Sequence, residues 1–164
     1  MTARNSPRLS LAALVATKPG HRPRLIYRTR RGRLGIGRGQ RRGGGRKGFT
    51  EADYAALFDA AHQQLGGPIV LVWDNLNTHV SAAMAEMIAA RPWLTVFRLP
   101  PYAHELNPVE PVWSHLKRSL ANLTKHNLVE LTALVKTRLK RMQYRPGLLV
   151  GFLASTGLGF GPFL

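Results

Sequence analysis

Leu9, Leu11, Ala13 and Val15 alternate with smaller or polar residues, a two-residue period that predicts a strand. Lys18-Pro19-Gly20 marks a turn, and Arg24-Leu25-Ile26-Tyr27 follows as the second arm of a hairpin. The pattern then stops. From Arg28 to Gly48 the chain reads RTRRGRLGIGRGQRRGGGRKG, with eight glycines and no period. Such a segment buries too little apolar area to offset its ordering entropy, so disorder is expected there in the unbound chain. It is also long for a connection inside one domain.

Helical spacing begins at Thr50, a good N-cap with Asp53 three residues on, and Tyr54, Leu57, Phe58, Ala61 and Leu65 form the stripe. Gly66-Gly67-Pro68 ends that helix. Ile69 to Trp73 is an unbroken apolar run that predicts a strand buried on both faces, and it leads straight into Asp74. A helix is expected over residues 80–90, then a buried strand over 94–97 that Leu99-Pro100-Pro101 brings to an end. After a loop to Asn107, Val109, Val112, Trp113, Leu116 and Leu120 lie on one face of a third helix. Leu128, Leu131, Leu134, Val135, Leu139 and Met142 line a fourth, and Leu148–Ala154 suits a short fifth. The order β-β-α-β-α-β-α-α predicts an α/β fold with at least partly parallel strands. The expected organisation is a hairpin within 1–27, a Gly/Arg segment at 28–48, a core at 49–156 and a tail at 157–164.

Charge changes this picture more than composition does. The 164 residues, 45% apolar, suit one domain, and no apolar run is long enough to span a membrane. The absence of cysteine excludes disulfides and thiolate metal sites and fits a reducing, cytoplasmic setting. The net charge is +16, and residues 1–50 hold 14 of the 24 Lys/Arg and none of the eight acids. Nucleic acid is the expected partner of so basic an arm, with a merely solvated tail as the plain alternative. Arg30, Arg31, Arg41 and Arg42 are its candidate phosphate contacts.

Two carboxylates stand out by position. Asp74 closes an apolar strand, where open α/β sheets place ligands, although Asp-Asn is also ordinary turn chemistry. Asn107-Pro108-Val109-Glu110 has the form of a helix start with Glu110 closing a capping box, and Asn127-Leu128-Val129-Glu130 has the same spacing with no chemistry attached. Glu110 nevertheless lies off the apolar stripe and shares its side of the helix with Ser114 and Lys117, an arrangement able to line a metal and phosphate site. His79 reads as a surface or capping residue, and Trp113 as core. Lys117 and Arg118, like Lys136, Arg138, Lys140 and Arg141, are outward charges that contact phosphate only if DNA is the substrate.

Taken together, VLVWDNLNTH (residues 70–79) and LPPYAHELNPVEPVW (99–113) resemble two blocks of the mariner-related DDE transposases of bacterial insertion sequences. Thirty-five residues separate Asp74 from Glu110, similar to the spacing in that family, and the likeness covers about 49–156 well. The resemblance implies an RNase H-like fold and strand cleavage and transfer of DNA by two-metal phosphoryl transfer. It implies Asp74 and Glu110 as ligands of Mg²⁺ or Mn²⁺, with Asn75, His79 and Asn107 as neighbouring motif residues. Transposon ends and target DNA would be the partners, a homodimer or an intact transposase possible companions, and the nucleoid the location. The family's first aspartate belongs to the central strand of its sheet, yet here nothing acidic precedes Glu51. An incomplete RNase H-like fold, without that strand but with extra C-terminal helices, is therefore expected, and with it a truncated, inactive copy.

Overall fold

A computed structural model of the chain describes residues 8–32, 48–77, 79–122 and 127–158. Strands β1 (Leu9–Ala16) and β2 (Arg24–Arg31) form an antiparallel hairpin in which Leu9 faces Arg31 and Ala16 faces Arg24. The turn forms at Lys18-Pro19-Gly20, where Lys18 C=O accepts the His21 N–H at 3.0 Å. Gly20 has φ +73°, the left-handed conformation that glycine enters without cost. Strand β2 runs four residues past the expected Tyr27, because cross-strand bonds to Leu9–Ala12 order Arg28–Arg31. The expected disorder is thus corrected for those four residues. Arg41 and Arg42 lie outside the described residues.

Helix α1 (Glu51–Leu65) starts as expected: Thr50 accepts the Asp53 N–H, and the Asp53 carboxylate accepts the Thr50 N–H at 2.8 Å. It ends at Gly66 with φ +66°. Strand β3 (Ile69–Trp73) and strand β4 (Leu94–Arg98) pair in parallel, Ile69 against Leu94 and Trp73 against Arg98. Between them lies α2 (Ala82–Ala89), capped by Ser81 through the Met84 N–H, so Val80 falls outside the expected helix. A short 3-10 turn at His104–Leu106 precedes α3 (Val109–Leu120), and α4 (Leu128–Gln143) and α5 (Pro146–Ser155) follow.

The two pairs of strands share no ladder among the described residues. The hairpin is covered on both faces. On one, Leu25 packs with Val112, Leu116, Val135, Leu139 and Leu149 of α3, α4 and α5. On the other, Ala12 and Ile26 meet Leu57 and Ala61 of α1. Among the described residues the parallel pair is covered on one face only, by Phe58 of α1 and Met84 of α2 against Leu71, Trp73 and Leu94. Val70, Val72 and Phe97 point the other way and are 66%, 45% and 58% exposed. The unbroken apolar run therefore does not make a strand buried on both faces, because α3, α4 and α5 are all committed to the hairpin. No helix among the described residues is long and apolar enough to cross a membrane.

Two measurements test this packing. Leu139 is fully buried, so Leu139→Ala should lower unfolding free energy by about 2–5 kcal/mol in denaturant titrations. Arg91 grips Asp59 through two bonds of 2.7 and 2.9 Å, and these hold the Asp59 carboxyl below its usual range against the opposing effect of burial. With 49% of the Asp59 side chain exposed, solvent screening limits the pair to at most about 1 kcal/mol. A lowered folded-state value stabilises above the ordinary carboxylate pKa of about 4 and ceases to as pH falls through the lowered value. Asp59→Asn should therefore melt below the wild type at pH 7 and converge with it in acid.

Candidate active site

Strand β3 delivers Asp74 to its C-terminal end, and the ladder to β4 continues one step there, with the Leu99 N–H donating to Trp73 C=O at 2.7 Å. Asn75 closes the same corner by donating from Nδ2 to Leu99 C=O at 2.8 Å. The end of β3 is thus tied to the start of the 99–108 loop. That loop turns at Pro100–Ala103, where Tyr102 takes the left-handed φ of 65° and is 91% exposed.

The Asp74 carboxylate is held by one oxygen. Oδ1 accepts the Leu76 N–H at 3.2 Å and lies 2.8 Å from His79 Nδ1. No hydrogen bond from a described residue reaches Oδ2. His79 is not the surface residue its sequence context implies: it is buried, its ring stacked on Trp73 at 3.9 Å and 4° and edge-on to Tyr54 at 4.8 Å and 85°. Burial pushes the imidazole below its ordinary pKa, and Asp74 only partly opposes this. The ring is therefore neutral at pH 7, and its contact with Asp74 is an N–H donor to a carboxylate. Both acceptors near Nδ1 belong to Asp74, the carboxylate and the backbone C=O at 3.3 Å, which assigns the proton to Nδ1. Nε2 is then a buried acceptor with no partner among the described residues. Burial first, and then the charges of Asp74 and Asp53, raise the Tyr54 phenol above its usual value and keep it protonated.

Glu110 is the second residue of α3 and is exposed. The expected capping box does not form there. Asn107 Oδ1 accepts the Val109 N–H at 3.1 Å, because the intervening Pro108 has no N–H and itself occupies the cap position. At the sister sequence, Asn127 does cap its helix, accepting the Glu130 N–H at 2.8 Å. Glu110 is thus not consumed by helix capping, and no ion pair or hydrogen bond ties its carboxylate to a described residue.

The acids that precede Asp74 are all in use elsewhere. Glu51 is buried and accepts from Ser81 Oγ at 2.9 Å. Asp53 binds Thr50 and Arg30, and these bonds hold its carboxyl below the usual range although burial alone would raise it. Asp59 is held by Arg91. Among the described residues no three His, Cys, Asp or Glu side chains cluster as a metal site. Asp74 and Glu110 are the right donor type for a hard cation and are two in number, so they fit such an ion in kind but not as a full set. Arg30, an expected DNA contact, is bonded through Nη1 to the Asp53 carboxylate. Arg31 is exposed at the end of β2, and Lys117 and Arg118 are exposed in the last turn of α3. Trp113 packs against the main core, as expected.

The family profile described as "DDE superfamily endonuclease" matches residues 14–132, more than half of the chain. The chain belongs to that family. Its fold is shared with solved structures of the Mos1 transposase catalytic domain, an RNase H-like fold. The structure solved with Mn and raltegravir superposes with a TM-score of 0.53 at 13% identity, covering 93% of this chain and 84% of that one. The structure solved with Mg gives 0.53 at 14% identity, covering 93% and 85%. The Mos1 paired-end complex with the left transposon end gives 0.51 at 14% identity, and there the match covers 94% of this chain and 55% of the other. No curated protein sequence matches the chain.

Sequence reasoning missed the Trp73–His79–Tyr54 stack and the Asn75 tether, although a Trp directly before Asp74 and a His five residues after it were available as signals. The tether is directly testable. Asn75→Ala should speed amide hydrogen exchange at Ala103 and Leu106 while costing about 1 kcal/mol of global stability.

Proposed function

We propose that this chain is the catalytic part of a DNA transposase in which Asp74 and Glu110 are two of the carboxylates that hold Mg²⁺ or Mn²⁺. One observation carries the reading: Asp74 stands at the C-terminal end of a parallel strand with one oxygen fastened and the other free of described partners. Family membership supports it, as do the metals and the transposon end named for the Mos1 structures. The bound cations would lower the pKa of an attacking water or 3′-hydroxyl and offset charge on the leaving oxygen. The chain's own part is to place and orient the two carboxylates. Exposed Lys117, Arg118 and Arg31, with Arg41 and Arg42 of the basic arm, would contact phosphates.

The 164-residue chain contributes only two of the three carboxylates expected of the family. With Glu51, Asp53 and Asp59 all engaged elsewhere, we propose that it does not cut DNA alone, and that a third carboxylate from another segment or an intact transposase completes the site. The uneven charge favours a second reading, a DNA-coating protein without catalysis, in which the basic arm alone matters.

Supercoiled plasmid carrying element ends separates these readings when incubated with the purified chain and Mg²⁺ or Mn²⁺. No nicking is expected from the chain alone, and nicking that Asp74→Asn abolishes would refute the claim of inactivity. Addition of an intact family transposase inactivated at its own second and third carboxylates should restore nicking that depends on Asp74 and Glu110 of this chain. If it does not, while DNA binding weakens steeply with salt, the DNA-coating reading stands instead.

A further inference from the structure

We propose that His79 is the positioning residue of Asp74: its Nδ1–H pins Oδ1 so that Oδ2 is presented to a divalent cation. The proposal rests on the reading of Asp74 as a metal ligand and assigns the neighbouring histidine a task within it.

Three observations carry it. First, both donors gather on one oxygen, since His79 Nδ1 at 2.8 Å and the Leu76 N–H at 3.2 Å both meet Oδ1. A carboxylate bonded this way cannot rotate to exchange its oxygens without losing both contacts. Second, the imidazole has little freedom of its own. Trp73 lies flat against one side of it at 3.9 Å, and Tyr54 meets it at 85°. Its plane, and therefore the direction of Nδ1–H, is set by two rings that belong to β3 and α1. Third, the ring has an unbalanced polar atom. Nε2 is buried with no partner among the described residues, a penalty that an apolar aromatic in the same stack would not carry. Packing alone thus gives no reason for a histidine, whereas the bond from Nδ1 does. Metal-ligating carboxylates are commonly fixed by such a hydrogen bond, which orients the ligand and confines its conformers before the ion arrives.

The test has two arms on the full chain. Nitrogen NMR reads the tautomer of His79, which should be protonated at Nδ1 and bare at Nε2, and Asp74→Ala should release that preference. Mn²⁺ titration, followed by paramagnetic broadening of the amide signals around Asp74, then compares the wild type with His79→Asn and His79→Gln. The Asn amide reaches the place of Nδ1 and the Gln amide that of Nε2. Both variants give up the stacked ring, so a loss of stability common to them cancels in the comparison. His79→Asn should stay within about threefold of wild-type Mn²⁺ affinity, and His79→Gln should lose about tenfold or more. Equal affinities for the two variants, or protonation at Nε2 in the wild type, overturn the assignment. A wild type with the Nδ1 proton in place but no Mn²⁺ broadening near Asp74 sinks the metal reading itself, and His79 is then only a structural partner of Asp74.

Discussion

A two-stranded sheet is marginal in water, and the described residues form two of them with no shared ladder. What joins them is chiefly α1, with Leu14 of β1 and Ile69 of β3 also packed against both clusters. Leu57 and Ala61 of α1 lie against the hairpin, and Phe58 lies against the parallel pair, so successive residues of one helix serve two sheets. Polar bonds reinforce both sides. Lys18, Arg24 and Arg28 of the hairpin region donate to the C=O groups of Leu65, Gln64 and Ala56. On the other flank Glu51 meets Ser81, and Asp59 meets Arg91, so α2 is bound to α1 by its start and by the residues beyond its end.

The candidate site inherits this dependence. Tyr54 belongs to α1 and sets the edge against which His79 rests, while Trp73 belongs to β3 and sets the plane. A shift of α1 relative to β3 would therefore be felt at the Asp74 carboxylate without any change in Asp74 itself. The hairpin acts on the other carboxylate, because α3, which carries Glu110, packs through Val112 and Leu116 onto Leu25. The two acids are thus mounted on different layers, and α1 and the Asn75–Leu99 bond fix the relation between those layers.

Much of this was legible in the sequence because local signals and tertiary packing agree. Thr50 and Asp53, Gly66, the turn at Pro19-Gly20 and the Asn127 cap each specify their boundary by chemistry within a few residues. Asp74 and Glu110 became recognisable through the blocks around them rather than by their own positions. The misreadings came where distant chain decides. Strand β3 reads as doubly buried because its run is continuously apolar, yet burial depends on which layer the later helices choose. The bond between Arg30 and Asp53 was likewise not legible, because the two lie on either side of a stretch with no period. His79 reads as a surface histidine because nothing adjacent shows that Tyr54, twenty-five residues earlier, will close over it.

The uncovered face of β3 and β4 has a consequence for how this chain behaves in bulk. Val70, Val72 and Phe97 stand exposed beside strands that, among the described residues, each have one unpaired edge. An open edge flanked by apolar side chains is a template for pairing between molecules. Mutual repulsion from a net charge of +16 opposes that pairing, and added salt screens it. Under the proposed DNA binding, colloidal stability would run opposite to DNA release: the ionic strength that would free the chain from a polyanion also removes its protection against itself.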